Sequence, residues 1–502
     1  MMETNVPSGF SASSVSVSGN QAEGPRPGGL PSWAGWLLAA GVAVVVFLLG
    51  VLAASILQRR MEAQRQPPRE PIDRLEADSS RWAVNFPRQY ARYRLMAEST
   101  TRTVFGGADP RDYLEETPAN VILFAGYGFA KDYRQARGHV WAVEDVLHTG
   151  RLSAKTPATC WTCKSPDVLR LLDQWGPEDF YARPFAAFRA PPAGAAGDPG
   201  QAITHPIGCL DCHDPATMRL RISRPALREA FARQGRDIEQ ASHQEMRSLV
   251  CAQCHVEYYF KGPGNYLTFP WDEGLQLEQI ESYYDKAQFT DWTHAISKAP
   301  MVKMQHPDYE LFTTGIHAYR DVSCADCHMP YRTEGGVKFT DHYIRSPLLN
   351  IANSCAVCHR WGEKEIEDRV VAIQRKVRQG RDWAERALVE AHFDIAAAEQ
   401  AGASDVELQE ARRLVRRAQM RWDFVAAQNG MGFHAPQESM RVLQAAVDLA
   451  GRARLEATRI LARHGITQPL EYPDWSSRQK AQALLASFQE GRPPRLVPKF
   501  SK

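Results

Sequence analysis

The chain has almost no excess of charge of either sign and no cysteine outside a pair. Its 502 residues include 60 Lys and Arg against 58 Asp and Glu, a net charge of +2 that argues against a nucleic-acid-binding protein. All 10 cysteines lie in C-x-x-C pairs, which disfavours a scattered disulfide framework and a lone catalytic thiol. The sequence also lacks a P-loop, a dinucleotide-binding glycine fingerprint and any strong alternating strand pattern. We therefore expect a mainly α fold with little β structure.

An uncharged hydrophobic run lies near the N-terminus. Residues 1–32 are rich in Ser, Gly, Pro and Val and predict a disordered segment. Residues 33–57 carry no charge, and the stretch from Leu37 to Leu57 is apolar except for Ser55. As a helix that stretch is about 31 Å long, enough to cross a bilayer. We interpret residues 33–57 as an uncleaved membrane anchor, with a cleaved signal sequence or a buried core helix as the alternatives.

The charges beside this run bear on its orientation. Residues 58–79 form a predicted linker rich in Gln, Arg and Pro. Four arginines in its first twelve residues follow the run, whereas Arg26 is the only basic residue before it. The four are Arg59, Arg60, Arg65 and Arg69. The positive-inside tendency would place the remaining chain in the cytoplasm.

Residues 80–502 divide into an irregular part and a helical part. Up to about residue 360 the chain shows no sustained period and contains all the cysteine pairs. From about residue 364, apolar residues at helical spacing predict three long helices that pack on one another. Their apolar positions are Ile366, Val370, Ile373 and Val377, then Ala411, Val415, Ala418, Trp422 and Val425, then Leu443, Val447 and Ala450. Ser404 followed by Glu407 predicts a capping box at the start of the second helix.

Four cysteine pairs continue directly into histidine. They are Cys209-Leu-Asp-Cys212-His213, Cys251-Ala-Gln-Cys254-His255, Cys324-Ala-Asp-Cys327-His328 and Cys355-Ala-Val-Cys358-His359. C-x-x-C-H is the attachment motif of c-type haem, because one helical turn presents both sulfurs on one face and the histidine follows beneath the iron. A single pair could be a zinc half-site or a redox dithiol. However, histidine makes up only 15 of 502 residues, so chance does not place one after four pairs.

The fifth pair differs, because Cys160-Trp-Thr-Cys163-Lys164 has lysine in the histidine position. It could be a pair without haem or a degenerate motif. It could also hold a haem with an amine as its proximal ligand, which metal and burial must keep deprotonated. Electron-transfer haems are usually six-coordinate, whereas a haem bound by Lys164 would have its other face open for a substrate. We favour this second interpretation.

At this point the sequence closely resembles the pentahaem family of ammonia-forming cytochrome c nitrite reductases, from about residue 80 to residue 470. One C-x-x-C-K motif followed by four C-x-x-C-H motifs is the order of that family. The strings between them also match: His255-Val-Glu257-Tyr258-Tyr-Phe, Lys303-Met-Gln305-His306-Pro, Gly315-Ile-His317, Thr340-Asp-His342 and Phe433-His434-Ala-Pro. The resemblance implies one multihaem catalytic domain over residues 80–502, with five covalently bound haem c and calcium as cofactors.

The resemblance also implies roles for individual residues. His342, His139, His434 and His317 match the distal ligands of the second, third, fourth and fifth haems. Tyr258 and His306 match catalytic residues, and Glu257, the carbonyls of Tyr258 and Lys303, and the Gln305 side chain match a calcium site. Arg151 matches a catalytic arginine, with His148 as the competing match. His205, His243, His294, His392 and His464, together with His148, are then unassigned and predicted to be surface or structural.

The implied reaction is the six-electron reduction of nitrite to ammonium at the Lys164 haem, fed by four bis-histidine haems. The alternatives are a multihaem cytochrome that only transfers electrons, and a related multihaem reductase of hydroxylamine or another small oxyanion. The first predicts histidine ligation throughout, so Lys164 speaks against it. The resemblance further implies a homodimer through the long C-terminal helices and a membrane quinol-oxidising multihaem cytochrome as electron donor. Bacterial c-type haem is attached outside the cytoplasmic membrane, which outweighs the arginines after the apolar run. We therefore expect a single-pass protein of the cytoplasmic membrane, with a periplasmic catalytic domain.

Overall fold

The first element of the structure is a long apolar helix. The computed structural model describes residues 31–63, 68–190 and 199–497, so the disorder predicted for residues 1–32 lies almost wholly outside the described residues. Helix α1 spans Ser32–Ala63, and its stretch Trp33–Arg60 is long and apolar enough to cross a membrane. None of its most hydrophobic window is buried, which rules out the buried core helix. A signal sequence near the N-terminus can also meet these limits of length and hydropathy, so α1 by itself fits either an anchor or a signal.

The residues after α1 form a separate unit, described here by itself, in which helices dominate. Its α-helices are α2 Ser79–Trp82, α3 Pro87–Arg94, α4 Tyr113–Glu116, α5 Ala119–Leu123, α6 Ala142–Leu147, α7 Asp167–Ala182, α8 Cys209–Cys212, α9 Pro225–Arg233, α10 His243–Ala252, α11 Leu277–Lys286, α12 Asp308–Thr313, α13 Ile316–Tyr319, α14 Cys324–His328, α15 Glu363–Gln400, α16 Asp405–Ala426, α17 Pro436–Arg463 and α18 Arg478–Gln489. Short 3-10 turns span Leu95–Ala97, Gly128–Ala130, His139–Trp141, Ala158–Trp161, Phe185–Phe188, Pro199–Gln201, Ile238–Gln240 and Pro347–Leu349.

Strands are few and short in the described part of the chain. They form three two-stranded antiparallel sheets: β1 Tyr259–Lys261 with β2 Tyr266–Thr268, β3 Trp292–Thr293 with β4 Pro300–Met301, and β5 Tyr331–Glu334 with β6 Val337–Thr340. In register, Tyr259 faces Thr268 and Tyr331 faces Thr340. The prediction of a mainly α fold with little β structure is therefore confirmed.

The three long helices predicted near the C-terminus are present as α15, α16 and α17, which pack on one another. Helix α15 begins at Glu363, one residue from the predicted position. At the start of α16, Ser404 Oγ accepts a hydrogen bond from Glu407 N at 3.4 Å, and Glu407 Oε2 accepts one from Ser404 N at 2.9 Å. These reciprocal bonds satisfy backbone donors that a helix start leaves free, so the predicted capping box is confirmed.

The cysteine motifs lie in the irregular part before these helices. The second and fourth motifs form the short helices α8 and α14. The third motif begins in the last turn of α10, and the first begins at the end of the 3-10 turn Ala158–Trp161. The longest helix of the irregular part, α7, contains no cysteine motif. It is interrupted at Gly176, whose φ of 76° breaks the helical path before Pro177. Apolar side chains form one core around α15–α17 and a second around the first and third cysteine motifs.

Candidate functional site: four histidine pairs and a lysine motif

Eight histidines from distant parts of the chain meet in four pairs. Each pair joins the histidine of one C-x-x-C-H motif to one predicted distal ligand, and in all four the ring centroids are 6.3 Å apart. The pairs are His213 with His342, His255 with His139, His328 with His434, and His359 with His317. Two metal–imidazole bonds of about 2 Å plus two ring radii of about 1 Å span about 6 Å. The spacing therefore fits one iron between the two rings of each pair.

Hydrogen bonds at the Nδ1 atoms orient several of these rings. His213 Nδ1 donates to Met218 O at 3.1 Å, and His328 Nδ1 donates to Arg345 O at 3.1 Å. His342 Nδ1 lies 2.8 Å from Thr340 O. Metal-binding histidines usually have the second ring nitrogen held in this way, which leaves Nε2 as the ligand. The ring tautomers suit the predicted haem ligation.

Burial keeps three of the imidazoles in the neutral form that binds metals. It lowers the pKa of His139, His213 and His328 to about 4. His255 is the exception: burial opposes its protonation, but a 3.3 Å contact from Nδ1 to Asp308 Oδ2 outweighs burial and raises its pKa. Sequence reasoning missed Asp308, which stands directly after the string Lys303-Met-Gln305-His306-Pro.

No disulfide joins any of the ten cysteines, all of which lie among the described residues, and three of the five motifs lie next to one another. The thiols of Cys163 and Cys254 are within hydrogen-bonding distance, and so are those of Cys251 and Cys324. The first, third and fourth motifs therefore form a contiguous row. Groups attached at these sulfurs would lie close enough to exchange electrons, which is what a multihaem chain requires.

The turn that carries Lys164 is fixed by backbone and aromatic contacts. Lys164 N donates to Trp161 O at 2.9 Å. The Trp161 ring stacks on Phe185 with centroids 4.1 Å apart, and its Nε1 donates to Phe185 O at 3.0 Å. Three of the predicted catalytic side chains approach this turn from other parts of the chain.

Arg151 approaches the turn on the side of Cys160. Its charge opposes the rise that burial causes in the pKa of the Cys160 thiol. Its Nη1 donates to Asp132 O at 3.0 Å, and its guanidinium lies 4.5 Å from the Phe129 ring centroid. The competing match, His148, is exposed and directs Nδ1 to Glu144 O at 2.9 Å. The environment favours Arg151 over His148 for the arginine position.

His306 and Tyr258 approach the same turn. Burial lowers the pKa of His306 to about 3, and the nearby Lys164 charge lowers it further. His306 Nδ1 is buried without a hydrogen-bond partner among the described residues, so it can serve a ligand. Burial, followed by the neighbouring Cys163 thiol, raises the pKa of Tyr258 well above its ordinary value. Both side chains are therefore neutral in the chain itself, and each can donate a hydrogen bond to a bound anion.

The predicted calcium ligands also lie together. The Glu257 side chain is fully buried, and its Oε2 accepts a hydrogen bond from Gln305 N at 2.5 Å. Gln305 Nε2 donates to Lys303 O at 3.2 Å, and Tyr284 donates to Glu257 Oε1 at 2.7 Å. Burial raises the pKa of Glu257 well above its ordinary value.

The charge of this group suits a cation. The Lys303 ammonium does not pair with Glu257 but with Asp423 at 2.9 Å. The Glu257 carboxylate, the Lys303 carbonyl and the Gln305 amide lie close together, and carboxylate, carbonyl and amide oxygens are hard ligands of the kind that Ca²⁺ prefers. A bound cation would also offset the cost of burying the charged form of Glu257.

The comparisons with known proteins agree with this geometry. The family model for cytochrome c552 matches residues 78–491. Cytochrome c-552 of Bacteroides fragilis is 50% identical over 470 residues, covering 92% of this chain and 93% of the relative. Cytochrome c-552 of Porphyromonas gingivalis is 46% identical over 472 residues, again covering 92% and 93%.

A solved structure extends the likeness to three dimensions. It is the catalytic subunit of cytochrome c nitrite reductase from Desulfovibrio desulfuricans, in which two calcium sites are described. The match has a TM-score of 0.72 and 34% identity, and it covers 77% of this chain and 87% of that one. This chain belongs to the cytochrome c552 family, the family of the cytochrome c nitrite reductases.

Proposed function

We propose that this chain reduces nitrite to ammonium at a c-type haem ligated by Lys164. The reaction takes nitrite, six electrons and eight protons to one ammonium and two waters. The observation that carries the proposal is the contrast among the five motifs. Four motif histidines face a second histidine at 6.3 Å, whereas the motif that ends in Lys164 has Arg151 near Cys160, Tyr258 near Cys163 and His306 near Lys164.

The ten cysteines would hold five haem c groups, with Lys164 and the eight paired histidines as axial ligands. When bound, the haems supply the electrons and an open iron at which nitrite can bind. The row formed by the first, third and fourth motifs supports a path for electrons toward the Lys164 site.

The residues around Lys164 would bind, orient and protonate the substrate. The Arg151 guanidinium presents N–H groups in a planar fork, which suits the two oxygens of nitrite. Its contacts with Asp132 O and Phe129 preset its orientation. Tyr258 and His306 would donate hydrogen bonds and protons as the oxygens leave as water.

Calcium would hold these donors in place. Glu257, Gln305 and the carbonyls of Tyr258 and Lys303 are the proposed ligands, and they are chain neighbours of Tyr258 and His306. The related enzyme of Desulfovibrio desulfuricans has two calcium sites, which supports the assignment. Calcium would also add positive charge near an anionic substrate.

The cellular setting is part of the proposal. We propose that α1 crosses the cytoplasmic membrane and anchors a catalytic domain that lies in the periplasm. A quinol-oxidising multihaem cytochrome is the proposed electron donor. The length and apolar surface of α1 support the anchor. We also propose a homodimer through the long helices, since Trp383, Val406 and Leu455 of α15, α16 and α17 expose large apolar side chains. A topology reporter that places residue 100 in the cytoplasm would contradict this arrangement.

The deciding assay supplies electrons from reduced viologen and measures both nitrite lost and ammonium formed. We expect one ammonium for each nitrite. Loss of nitrite without matching ammonium would refute the six-electron reaction. EPR of the oxidised protein separates the alternatives, because a cytochrome that only transfers electrons would show low-spin iron alone. The same assay with hydroxylamine as the only substrate tests the related reductase.

A further inference from the structure

Arg224 is a buried arginine for which the proposed mechanism has no role. Its side chain is 1% exposed, and it stands just before helix α9. Its Nε donates to Thr162 O at 2.8 Å, and its Nη2 donates to Ser165 O at 2.9 Å and also to Asp211 Oδ1. Its Nη1 donates to Ser223 Oγ at 2.8 Å. Four of the five N–H groups of the guanidinium thus have protein acceptors.

Three of these acceptors lie in or directly beside the first two cysteine motifs. Thr162 lies inside the first motif and Ser165 follows Lys164, so Arg224 holds the backbone on both sides of the proposed iron ligand. Asp211 lies inside the second motif. One side chain therefore joins the first two motifs.

Gln253, inside the third motif, extends the connection. Its Oε1 accepts hydrogen bonds from Arg224 N at 3.2 Å and from Ser223 N at 3.0 Å, and its Nε2 donates to Asp211 O at 2.9 Å. Three segments that lie far apart in the sequence thus meet at Arg224. The network is buried, so each of its bonds is costly to leave unmade.

The charge on Arg224 is maintained inside the protein. Burial by itself would lower the pKa of the guanidinium, but the adjoining Asp211 carboxylate outweighs burial and raises it. The ion pair is almost fully buried, with 1% and 5% of the two side chains exposed. Removing one partner of such a pair leaves the other without compensation. The rigid planar fork also fixes its acceptors more closely than a lysine could.

We propose that Arg224 is a positioning residue that holds the Lys164 turn in register with the second and third motifs. The inference rests on the proposed role of Lys164 as an iron ligand. By holding the carbonyls of Thr162 and Ser165, Arg224 limits the directions in which the Lys164 side chain can leave the backbone. The active iron should therefore depend on Arg224 more than the four bis-histidine irons do.

The test compares full-length Arg224→Gln and Arg224→Lys proteins with the wild type, all loaded with haem. Arg228→Gln is the matched control, because Arg228 lies four residues away on α9 and donates to Ile222 O and Glu239, outside the motifs. Five quantities are measured: haem per chain, the EPR signals of each iron, the midpoint potential of the active haem, kcat for nitrite and KM for nitrite.

For Arg224→Gln we expect five haems per chain, a changed EPR signal of the active iron alone, and a fall in kcat of about 10–100-fold with a smaller change in KM. The midpoint potential of the active haem should fall, because a buried positive charge near it is lost; a tenfold shift in its reduction equilibrium is 59 mV. Arg224→Lys keeps the charge without the fork and should recover part of both losses. Arg228→Gln should match the wild type.

Two results would overturn the proposal. One is an Arg224→Gln protein with five haems and a native active-haem signal, potential and kcat. The other is an even loss of all haem signals with normal turnover per intact chain, as a purely structural role predicts. Should the glutamine variant not accumulate, Arg224→Lys and Asp211→Asn decide by the same readouts. If the wild type forms no ammonium, the nitrite reductase proposal fails, but the EPR comparison still decides the role of Arg224.

Discussion

Different contacts stabilise the two parts of the molecule. One is the cysteine-rich part, residues 80–360, and the other is the helical part, residues 363–463. In the helical part, α15, α16 and α17 meet through apolar faces, where Leu388, Val415 and Ala446 are fully buried. In the cysteine-rich part the longest described helix has 16 residues and is broken at Gly176. Its segments are joined by the smaller apolar core around the first and third motifs, by histidine pairs, and by side chains bonded to the backbone, as at Arg224.

This difference identifies what each part is built around. Helical periodicity indicates packing against an apolar core, because apolar residues at helical spacing all lie on one face of the helix. A segment folded around attached cofactors needs no such period; it needs ligands at fixed positions and backbone groups that are satisfied locally. The cysteine-rich part should therefore depend on its haems, and the helical part should not.

Removal of one haem is the strongest test of whether only the cysteine-rich part depends on its haems. Cys160→Ala with Cys163→Ala should reduce haem from five to four per chain and abolish nitrite reduction, while α15–α17 keep their hydrogen-exchange protection. Cys355→Ala with Cys358→Ala is the matched control, because it also leaves four haems but keeps the Lys164 motif. It should retain measurable turnover. Loss of protection across α15–α17 in either protein would show that the two parts are not independent.

The next largest effect should come from Arg151. Arg151→Gln removes the fork that faces the substrate and should lower kcat/KM about 10²–10³-fold with all haems attached. The matched control is His148→Gln, three residues earlier, since His148 is exposed and should leave activity unchanged. A larger loss in the His148 variant would reverse the assignment. Steady-state kinetics with reduced viologen measure both.

A smaller loss is expected from the calcium site. Treatment with a calcium chelator should lower activity about 10–100-fold, because the loop that carries Tyr258 and His306 loses its support. Glu257→Gln should cause a similar loss. Added calcium should restore the chelated wild type but not the variant, and full activity in metal-free Glu257→Gln protein would contradict the site.

The same contrast explains what the sequence could predict. The helices α15–α17 were predictable because their periodicity follows from local packing, and the capping box at Ser404 because its two residues are close in sequence. The haem motifs were recognisable by spacing. The distal histidines came from the family resemblance, because no local pattern links His139 to His255. Their assignments as ligands stay predictions.

Other groups could not be predicted from local patterns. Arg224 and Asp132 act through backbone carbonyls and amides, which leave no signature in the sequence. His294 and His392 were predicted only to be surface or structural. In the structure they are fully buried and stacked, with centroids 3.7 Å apart. Such a pairing depends on how α15 meets the β3–β4 turn and is invisible in either segment alone.

That stacked pair gives the helical part a dependence on pH that is separate from the haems. His392 Nε2 donates to Gln419 Oε1 and Nδ1 accepts from Ser297, both at 2.8 Å, and burial lowers its pKa to about 4. Because the unfolded chain binds the proton more readily, stability should be complete above about pH 6.5 and fall as pH drops toward 4.

The variant His392→Gln should cost about 1–3 kcal/mol at neutral pH, through buried partners left unsatisfied. It should also show a shallower loss of Tm between pH 6.5 and pH 4 than the wild type, with the haem spectra unchanged. The exposed control His148→Gln should follow the wild-type curve. If Tm falls between pH 6.5 and pH 4 as steeply in His392→Gln as in the wild type, this histidine pair does not cause the pH dependence.

The smallest effect sharpens the contrast most, because it should remain within one part of the molecule. Ser404→Ala deletes the side-chain acceptor for Glu407 N, and it should lower the opening free energy of the first turn of α16 by about 1 kcal/mol. Ser404→Asp restores an acceptor and should recover most of that loss. Hydrogen exchange of the α16 amides measures it. We expect wild-type values for turnover, haem content and the active-iron EPR signal, since the start of α16 holds no proposed ligand. A fall in kcat in Ser404→Ala that Ser404→Asp reverses would mean that the helical part transmits strain to the haem site.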